Sequence, residues 1–498
     1  MSKQPYVPPT MVRHHAGHMN PQAHGEAAPH CPDIAGAPIS DLVAEHGSPL
    51  YVFSEATLRQ AYRDVHRAFQ RRYPDVQLAW SYKTNYLKAI CALFHQEGAI
   101  AEVVSDFEYE KARGLGVPGH EIIFNGPCKS VAALERAIDE GALIQIDNMD
   151  ELATLNAIAL RKRRKVDIGI RVFMDCGVQP VWSKFGFNAD SDDAVQAMKR
   201  IYESGCLRLV GLHTHVGTFI LEPEVYTRAV EKLVSLAEIA RRQFGCEITY
   251  LNLGGGLPSR SELHYQYLPA EDVVPPLDDY AEAICRPLRE GWPRDLKLPR
   301  LYLETGRALV DEAGYLVTTI LANKQSSAPN RSRSSLSSAR NKSGYRGSAA
   351  QAASGYLVDS GIHLLYTAAW YRFNVQPTRP VPGSLTERTI FGCLCMNIDV
   401  LRPSVPLPDM KVGDTLVFHP VGAYNITQSM QFITYRPRVV MVTEDGQVEI
   451  IRDRENLEHV EALERLPEGL QSRDEAIPCA PSRNGHTKLP AALAEVPA

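Results

Sequence analysis

Lys83 is the first of several side chains in this 498-residue sequence whose position suggests chemistry. It follows the apolar run 76–80, which is typical of a buried strand. A partly desolvated lysine at a strand end can act as an amine nucleophile. Most lysines in such places are simply solvated, so this motif gains weight only from its neighbours.

Two histidines end another predicted strand. His213 and His215 are two residues apart, and strand alternation points them to the same side. An imidazole there could stack on a flat cofactor. A hydrogen-bonded core histidine explains the same pattern equally well.

A glycine run and a Glu-Thr-Gly-Arg segment follow two further predicted strands. Gly254, Gly255 and Gly256 would let backbone N–H groups approach a phosphate closely. In the segment 304–307, a carboxylate beside a glycine and an arginine could contact both a ring nitrogen and a phosphate. The alternatives are an ordinary loop and a surface ion pair.

Between residues 50 and 310, predicted strands alternate with predicted helices, and these elements must position the motifs. Short apolar runs are separated by amphipathic segments typical of helices. The eight runs that count as barrel strands are residues 76–80, 100–104, 122–124, 143–146, 166–172, 209–213, 248–253 and 301–304. This pattern predicts an α/β fold with a (β/α)8 barrel, whose chemistry lies at the carboxyl ends of the strands.

Beyond residue 312 the predicted strands have no helices between them. We therefore expect a barrel domain over residues 36–312 and a C-terminal β-sandwich or β-barrel domain over 313–460. The Ser-, Arg- and Asn-rich stretch 324–354 predicts a disordered insertion, with a basic binding loop as the alternative. Residues 1–35 and 471–498 predict disordered tails, although the N-terminal histidines leave a metal site open.

Composition excludes several partner classes. A formal net charge of −5 gives no reason to expect nucleic acid. We find no run long and apolar enough to span a bilayer and no secretory signal. The ten cysteines show no Cys-x-x-Cys pair with metal spacing. The sequence thus predicts a cytoplasmic protein with reduced thiols and no metal.

The order of the motifs resembles a known family. A lysine, a histidine, a glycine loop and a Glu–Gly–Arg segment occur in the same order in fold-type III pyridoxal-phosphate decarboxylases. These include diaminopimelate, ornithine and biosynthetic arginine decarboxylases, of which the first group is the most similar; alanine racemases share the barrel. The resemblance spans about residues 50–437 without the insertion and includes Asn125-Gly126-Pro127-Cys128-Lys129, Lys184-Phe185-Gly186, Gly392-Cys393-Leu394-Cys395 and Gly422-Ala423-Tyr424.

This resemblance implies pyridoxal 5'-phosphate as cofactor. Lys83 would hold it as a Schiff base, His215 would stack on its ring, and Glu304 would pair with the ring nitrogen. The residues implied for its phosphate and immediate surroundings are Thr218, Gly255, Gly256, Gly306, Arg307 and Tyr424. Those implied for an amino-acid substrate are Arg307, Tyr371, Asp399 and Tyr424. Cys395 matches a cysteine that family members insert from a partner subunit, so a homodimer with shared active sites is implied.

The carboxylate at position 304 selects among reactions on this cofactor. It would keep the ring nitrogen protonated, which favours decarboxylation, with Cys395 as the acid that protonates Cα afterwards. Alanine racemases place an arginine beside that nitrogen, so Glu304 argues against a racemase or epimerase. A catalytically silent homologue is a third possibility, but such proteins typically lose the lysine or the cysteine.

The substrate is where the sequence departs from the family. Diaminopimelate decarboxylases usually follow the cysteine with Glu-Ser-Gly-Asp, whereas this chain has Met-Asn-Ile-Asp at 396–399. Thr367 stands where family members carry an arginine for the distal carboxylate. Asp399 falls near the aspartate that reads the distal amine in ornithine decarboxylases. The sequence predicts a diamino acid or a derivative, such as a carboxylated polyamine or a siderophore-type intermediate, rather than meso-diaminopimelate.

Overall fold

The computed structural model describes residues 29–324 and 354–470. Most of the predicted tails at 1–35 and 471–498 and of the insertion at 324–354 lies outside the described residues, as does most of the N-terminal histidine cluster. The chain divides into two units, residues 1–454 and 455–498. In the second unit the described elements are the helix Leu457–Glu461 and a short 3-10 helix, Glu468–Leu470.

The described strands, numbered along the chain, are β1 Asp33–Ile34, β2 Ala37–Pro38, β3 Leu50–Ser54, β4 Val76–Ser81, β5 Ile100–Val103, β6 Ile122–Phe124, β7 Leu143–Ile146, β8 Val166–Phe173, β9 Phe187–Asn188, β10 Leu207–Thr214, β11 Tyr250–Asn252, β12 Arg300–Thr305, β13 Gly314–Lys324, β14 Gly355–Val358, β15 Asn374–Pro377, β16 Thr386–Phe391, β17 Val400–Leu407, β18 Thr415–His419, β19 Arg438–Val442 and β20 Val448–Arg452. The helices of the first unit are α1 Ile39–His46, α2 Glu55–Gln70, α3 Lys88–Gln96, α4 Asp106–Gly114, α5 Val131–Glu140, α6 Met149–Lys162, α7 Asp193–Ser204, α8 Glu224–Phe244, α9 Ala270–Val273, α10 Leu277–Gly291 and α11 Arg307–Val310.

Eight parallel strands close into a barrel. They follow the order β4-β5-β6-β7-β8-β10-β11-β12, and β12 pairs with β4 to complete the ring. These are the eight runs that the sequence predicted, so the (β/α)8 barrel is confirmed. Because all eight strands are parallel, their carboxyl ends meet at one mouth of the barrel.

Side-chain caps fix where the helices behind the mouth begin. Ser105 accepts a hydrogen bond from the Glu108 N–H at the start of α4, and Ser130 accepts one from Ala133 at the start of α5. Asn148 does the same for the Glu151 N–H at α6. Such caps satisfy N–H groups that have no partner within the helix, so each strand passes to its helix over a short, defined turn. No described helix has the length and apolar composition needed to cross a membrane.

The second sheet has nine strands and corrects the predicted boundary of the barrel domain. Strand β3 lies within the predicted barrel range 36–312, yet it pairs antiparallel with β13 and parallel with β19 in this sheet. Both faces of β3 are buried: Leu50 and Val52 pack in one apolar cluster, and Tyr51 and Phe53 in another. A run buried on both sides carries no alternation to show which sheet it joins. The predicted tail 1–35 is also ordered at its end, where β1 pairs with β2.

Candidate active site

Lys83 lies at the barrel mouth beside a buried carboxylate. The short 3-10 helix Tyr82–Thr84 follows β4 directly and carries it. Its Nζ lies 2.7 Å from Oε2 of Glu102, a residue of β5 that is fully buried. Burial alone would lower the pKa of Lys83, but the carboxylates of Glu102 and Glu304 outweigh it and raise that pKa overall. The amine is therefore held as an ammonium in this state.

Glu304 is the second buried carboxylate, near the end of β12. Its Oε1 accepts hydrogen bonds from Nδ2 of Asn125 and Nδ2 of Asn252, each 2.6 Å long. Its Oε2 lies 3.5 Å from Nε2 of His213. Burial raises the pKa of Glu304, but His213, Lys83 and the Asn125 hydrogen bond lower it well below the usual range. Glu304 is thus a fixed negative charge inside the mouth.

Glycines let two backbone segments close on the cleft. Gly256 has a φ of 102°, and a Cβ there would come within 2.6 Å of the carbonyl oxygen of Gly217. At Gly306 a Cβ would collide with Oγ1 of Thr84. A side chain at either position would push the backbone away from its neighbours, so glycine keeps both segments close enough for their N–H groups to line the cleft.

Arg307 stands at one wall of this cleft between aromatic rings. Its guanidinium carbon lies 4.5 Å from the ring centre of Tyr371 and 5.1 Å from that of Tyr424. Its Nη1 lies 3.4 Å from Oδ2 of Asp311, while its Nε is buried without a hydrogen-bond partner. A buried, positioned guanidinium with a donor to spare fits an anionic group such as a phosphate or a carboxylate.

His215 contributes a neutral ring. Burial lowers its pKa well below the ordinary value, and the charges of Arg171 and Lys83 lower it further. The edge of Trp182 packs against it, with ring centres 5.2 Å apart and planes at 74°. An uncharged, flat ring braced by an aromatic neighbour suits stacking on a pyridine. Trp182 was not predicted as a site residue, although it lies two residues before the Lys184-Phe185-Gly186 motif.

One cleft contains every residue that the sequence assigned to the cofactor. The residues lining it are Ser81, Lys83, Thr84, His215, Thr218, Gly255, Gly256, Leu257, Glu304, Gly306, Arg307 and Tyr424. An amine, a neutral imidazole, an ionised carboxylate and an anion-binding arginine thus converge, and this set fits pyridoxal phosphate. Tyr371 borders the cleft through its contact with Arg307. Cys395 is exposed on the second sheet's loop and is not among the lining residues.

Asp399 accepts hydrogen bonds from two backbone N–H groups in loops of the second sheet. Its side chain is buried, Oδ1 accepts the Ile362 N–H at 2.7 Å, and Oδ2 accepts the Leu394 N–H at 2.8 Å. Oδ2 thus holds the loop that carries Cys395, and Oδ1 holds the loop that follows β14. These contacts give Asp399 a structural role, while its contact with a substrate amine stays a prediction.

Replacing Asp399 with alanine should therefore destabilise the fold. Two buried N–H groups would lose their acceptors, which costs about 2–4 kcal/mol in the free energy of unfolding. Urea unfolding measures this, with Asp453→Ala as the control because the Asp453 side chain is 83% exposed. A loss below about 0.5 kcal/mol together with a raised KM would favour the substrate role.

Comparisons with known proteins agree with this geometry. A family model described as the pyridoxal-binding domain of pyridoxal-dependent decarboxylases matches residues 58–311. The chain is 28% identical over 450 residues to the diaminopimelate decarboxylase of Methanothermobacter thermautotrophicus, covering 88% of this chain and 97% of that protein. It is 30% identical over 436 residues to that of Actinosynnema pretiosum subsp. auranticum, covering 85% and 90%. The structure of the M. jannaschii diaminopimelate decarboxylase in complex with L-lysine matches with a TM-score of 0.77, at 26% identity, covering 90% of this chain and 98% of that one.

Proposed function

The chain belongs to the pyridoxal-dependent decarboxylases, and from that premise we propose that Lys83 carries the cofactor and that the substrate is a diamino acid, or a derivative of one, other than meso-diaminopimelate. The family, the cofactor and amino-acid decarboxylation, all predicted from the sequence, are confirmed. The comparisons support neither the racemase nor the silent homologue.

The convergence of Lys83, Glu304 and Arg307 in one cleft carries the site assignment. When bound, pyridoxal phosphate supplies an electron sink for the pair left at Cα as carbon dioxide departs. Glu304, ionised and fixed by two asparagines, is suited to hold a proton on the ring nitrogen. His215 offers a neutral face to the ring. Arg307 and the N–H groups around Gly256 are suited to bind the phosphate or a substrate carboxylate.

Protonation of Cα after the loss of carbon dioxide needs an acid. Cys395, the predicted acid, is exposed on a loop outside the cleft of its own chain. The second sheet's loops also expose large apolar side chains, including Trp370 (51%), Ile398 (66%) and Ile433 (60%). Such exposure is typical of an interface with another protein. We therefore propose a homodimer in which each chain supplies Cys395 to the cleft of the other.

Mixing two inactive variants tests the shared site. Lys83→Ala and Cys395→Ala homodimers should each be inactive in product formation. After dissociation and random reassociation, activity should return to about a quarter of the wild-type value, since half of the dimers would carry one intact site of two. Native mass spectrometry would check that mixed dimers form, because their mass differs from that of either homodimer. Mixed dimers without recovered activity would place Cys395 in the cleft of its own chain, and an active Cys395→Ala homodimer would place it outside the mechanism.

The substrate proposal depends on the residues that should recognise the distal end. Thr367 is buried, and both its N–H and its hydroxyl donate to Oδ1 of Asn425, at 3.0 and 2.9 Å. No cation stands at the position where the family places an arginine, and Met396 replaces the usual glutamate. A substrate with a distal carboxylate would leave that charge without its usual partner. The relative solved with L-lysine, itself a diaminopimelate decarboxylase, supports only the class of diamino acids.

A release screen separates the candidate substrates. Carbon dioxide release would be measured with the holoenzyme over L-, D- and meso-diamino acids and their N-substituted derivatives. We expect kcat/KM for meso-diaminopimelate to lie about 100-fold or more below that of the best substrate, because its distal carboxylate is unpaired. If meso-diaminopimelate proved the best substrate, the substrate proposal would fail while the decarboxylase assignment stood.

A further inference from the structure

Asn125 bridges the two buried carboxylates of the barrel mouth. Its Nδ2 donates to Oε1 of Glu102 at 2.9 Å and to Oε1 of Glu304 at 2.6 Å. The three side chains are each less than 5% exposed, with Asn125 at 2%, Glu102 at 0% and Glu304 at 4%. One amide group therefore joins two carboxylates that lie on different strands, in a place that water hardly reaches.

The remaining oxygens of the two carboxylates contact different groups. The other oxygen of Glu102, Oε2, accepts hydrogen bonds from Lys83 Nζ at 2.7 Å and from the Ser81 hydroxyl at 2.5 Å. The other oxygen of Glu304, Oε2, faces His213. The hydrogen-bonded path from Lys83 to Glu304 is thus continuous and passes through Asn125.

The local backbone fixes Asn125 in this place. It directly follows β6, and its N–H donates to the carbonyl of Val103 at 2.8 Å. The next residue, Gly126, has a φ of 99°, and a side chain there would collide with the carbonyl of Val104. The chain therefore turns sharply after Asn125, which leaves the amide aimed into the barrel.

The bridge affects how readily the two carboxylates take up a proton. Two ionised carboxylates in a buried site repel each other, and a shared donor offsets that repulsion. Without the donor the pair takes up a proton more readily. Glu304 keeps Asn252 and His213, and Glu102 keeps Lys83 and Ser81, so the pair as a whole takes up the proton. The titratable and charged groups that act on the pair are Lys83, Glu108, Arg171, His213, His215 and Tyr250.

We propose that Asn125 is a positioning residue that couples the lysine end of the cofactor site to the ring-nitrogen end, by holding Glu102 and Glu304 ionised together. The inference rests on the proposed roles of Lys83 and Glu304. It adds two residues, Asn125 and Glu102, to which the sequence analysis assigned no role.

The test is a pH titration of the near-visible absorbance of the holoenzyme, which reports the proton on the nitrogen that joins lysine and cofactor. In Asn125→Leu and Asn125→Ser, a carboxylate pair that carries one more proton would balance less of the positive charge on that nitrogen. The titration midpoint should therefore fall by about one pH unit, a tenfold change in the proton equilibrium. The control is Gln145→Leu, because Gln145 is a buried barrel amide that donates to the Tyr250 hydroxyl and not to either carboxylate.

Each outcome of the titration supports or overturns the coupling through Asn125. Midpoints that stay within about 0.2 units of wild type in both variants would overturn the coupling. If both variants lost the absorbance, thermal melting of the cofactor-free protein would decide: unchanged melting supports the positioning role, and a collapsed fold in both would overturn it in favour of a structural one. A wild-type holoenzyme without lysine-linked absorbance would instead refute the role of Lys83 itself.

Discussion

Replacing Lys83 with alanine is expected to abolish the near-visible absorbance of the bound cofactor and to lower carbon dioxide release by about 10⁴-fold or more. Lys83 is the one lysine among the residues lining the described cleft, so no other amine there can take over covalent attachment. Its ammonium is also the group that Glu102 holds at 2.7 Å. The measurement pairs an absorbance spectrum with a steady-state rate.

The control for this variant lies five residues further along the chain. Lys88 is the exposed first residue of α3, and Lys88→Ala should keep both the spectrum and the rate. Retained absorbance in Lys83→Ala would place the cofactor on a different amine and would end the present account of the cleft.

Replacing Glu304 with glutamine should have the second largest effect. Glutamine keeps the shape but carries no charge, so it cannot hold a proton on a ring nitrogen. Its carbonyl oxygen can still accept the hydrogen bonds from Asn125 and Asn252, while its NH₂ takes the place of Oε2 beside His213. We expect kcat to fall by about 10³-fold, as is typical when a preorganised charge is removed from an active site.

The cofactor dissociation constant separates this effect from misfolding. It should change by less than about tenfold, because Lys83 and Arg307 remain. The control is Glu151→Gln, since Glu151 is buried against Lys129 at 2.7 Å and is not a lining residue of the cleft. That variant should lose thermal stability yet keep turnover per folded molecule. A Glu304→Gln enzyme with more than a tenth of wild-type kcat would rule out the proposed role of the carboxylate.

The sequence predicted the barrel because its strands are short apolar runs at regular spacing. It predicted that Lys83, His215, Gly256 and Glu304 would lie together because the carboxyl ends of parallel strands meet at one mouth. It could not place β3, since a run buried on both faces joins a barrel or a second sheet with the same residues. Pairing with β13 and β19 is decided by residues more than 250 positions away.

The contacts of polar residues inside the core were the second feature that the sequence did not predict. Glu102 lies in the run 100–104, which was predicted only as an apolar strand. A carboxylate in such a run indicates that a partner is buried beside it. Its partners, Lys83 and Asn125, follow two other strands, so the sequence alone does not identify them. Asp399 is a second polar residue whose contacts the sequence does not reveal. A resemblance in position suggested a substrate contact, while the two backbone N–H groups that occupy its oxygens became visible only in the fold.

Chemical trapping of the cofactor tests the central claim most directly. Borohydride reduction of the holoenzyme makes the lysine–cofactor bond permanent, and peptide mapping by mass spectrometry then locates it. Our account predicts the added mass on the peptide that contains Lys83 and on no other lysine. A label on Lys129 or on any other lysine, or no label in a protein that retains cofactor absorbance, would contradict it.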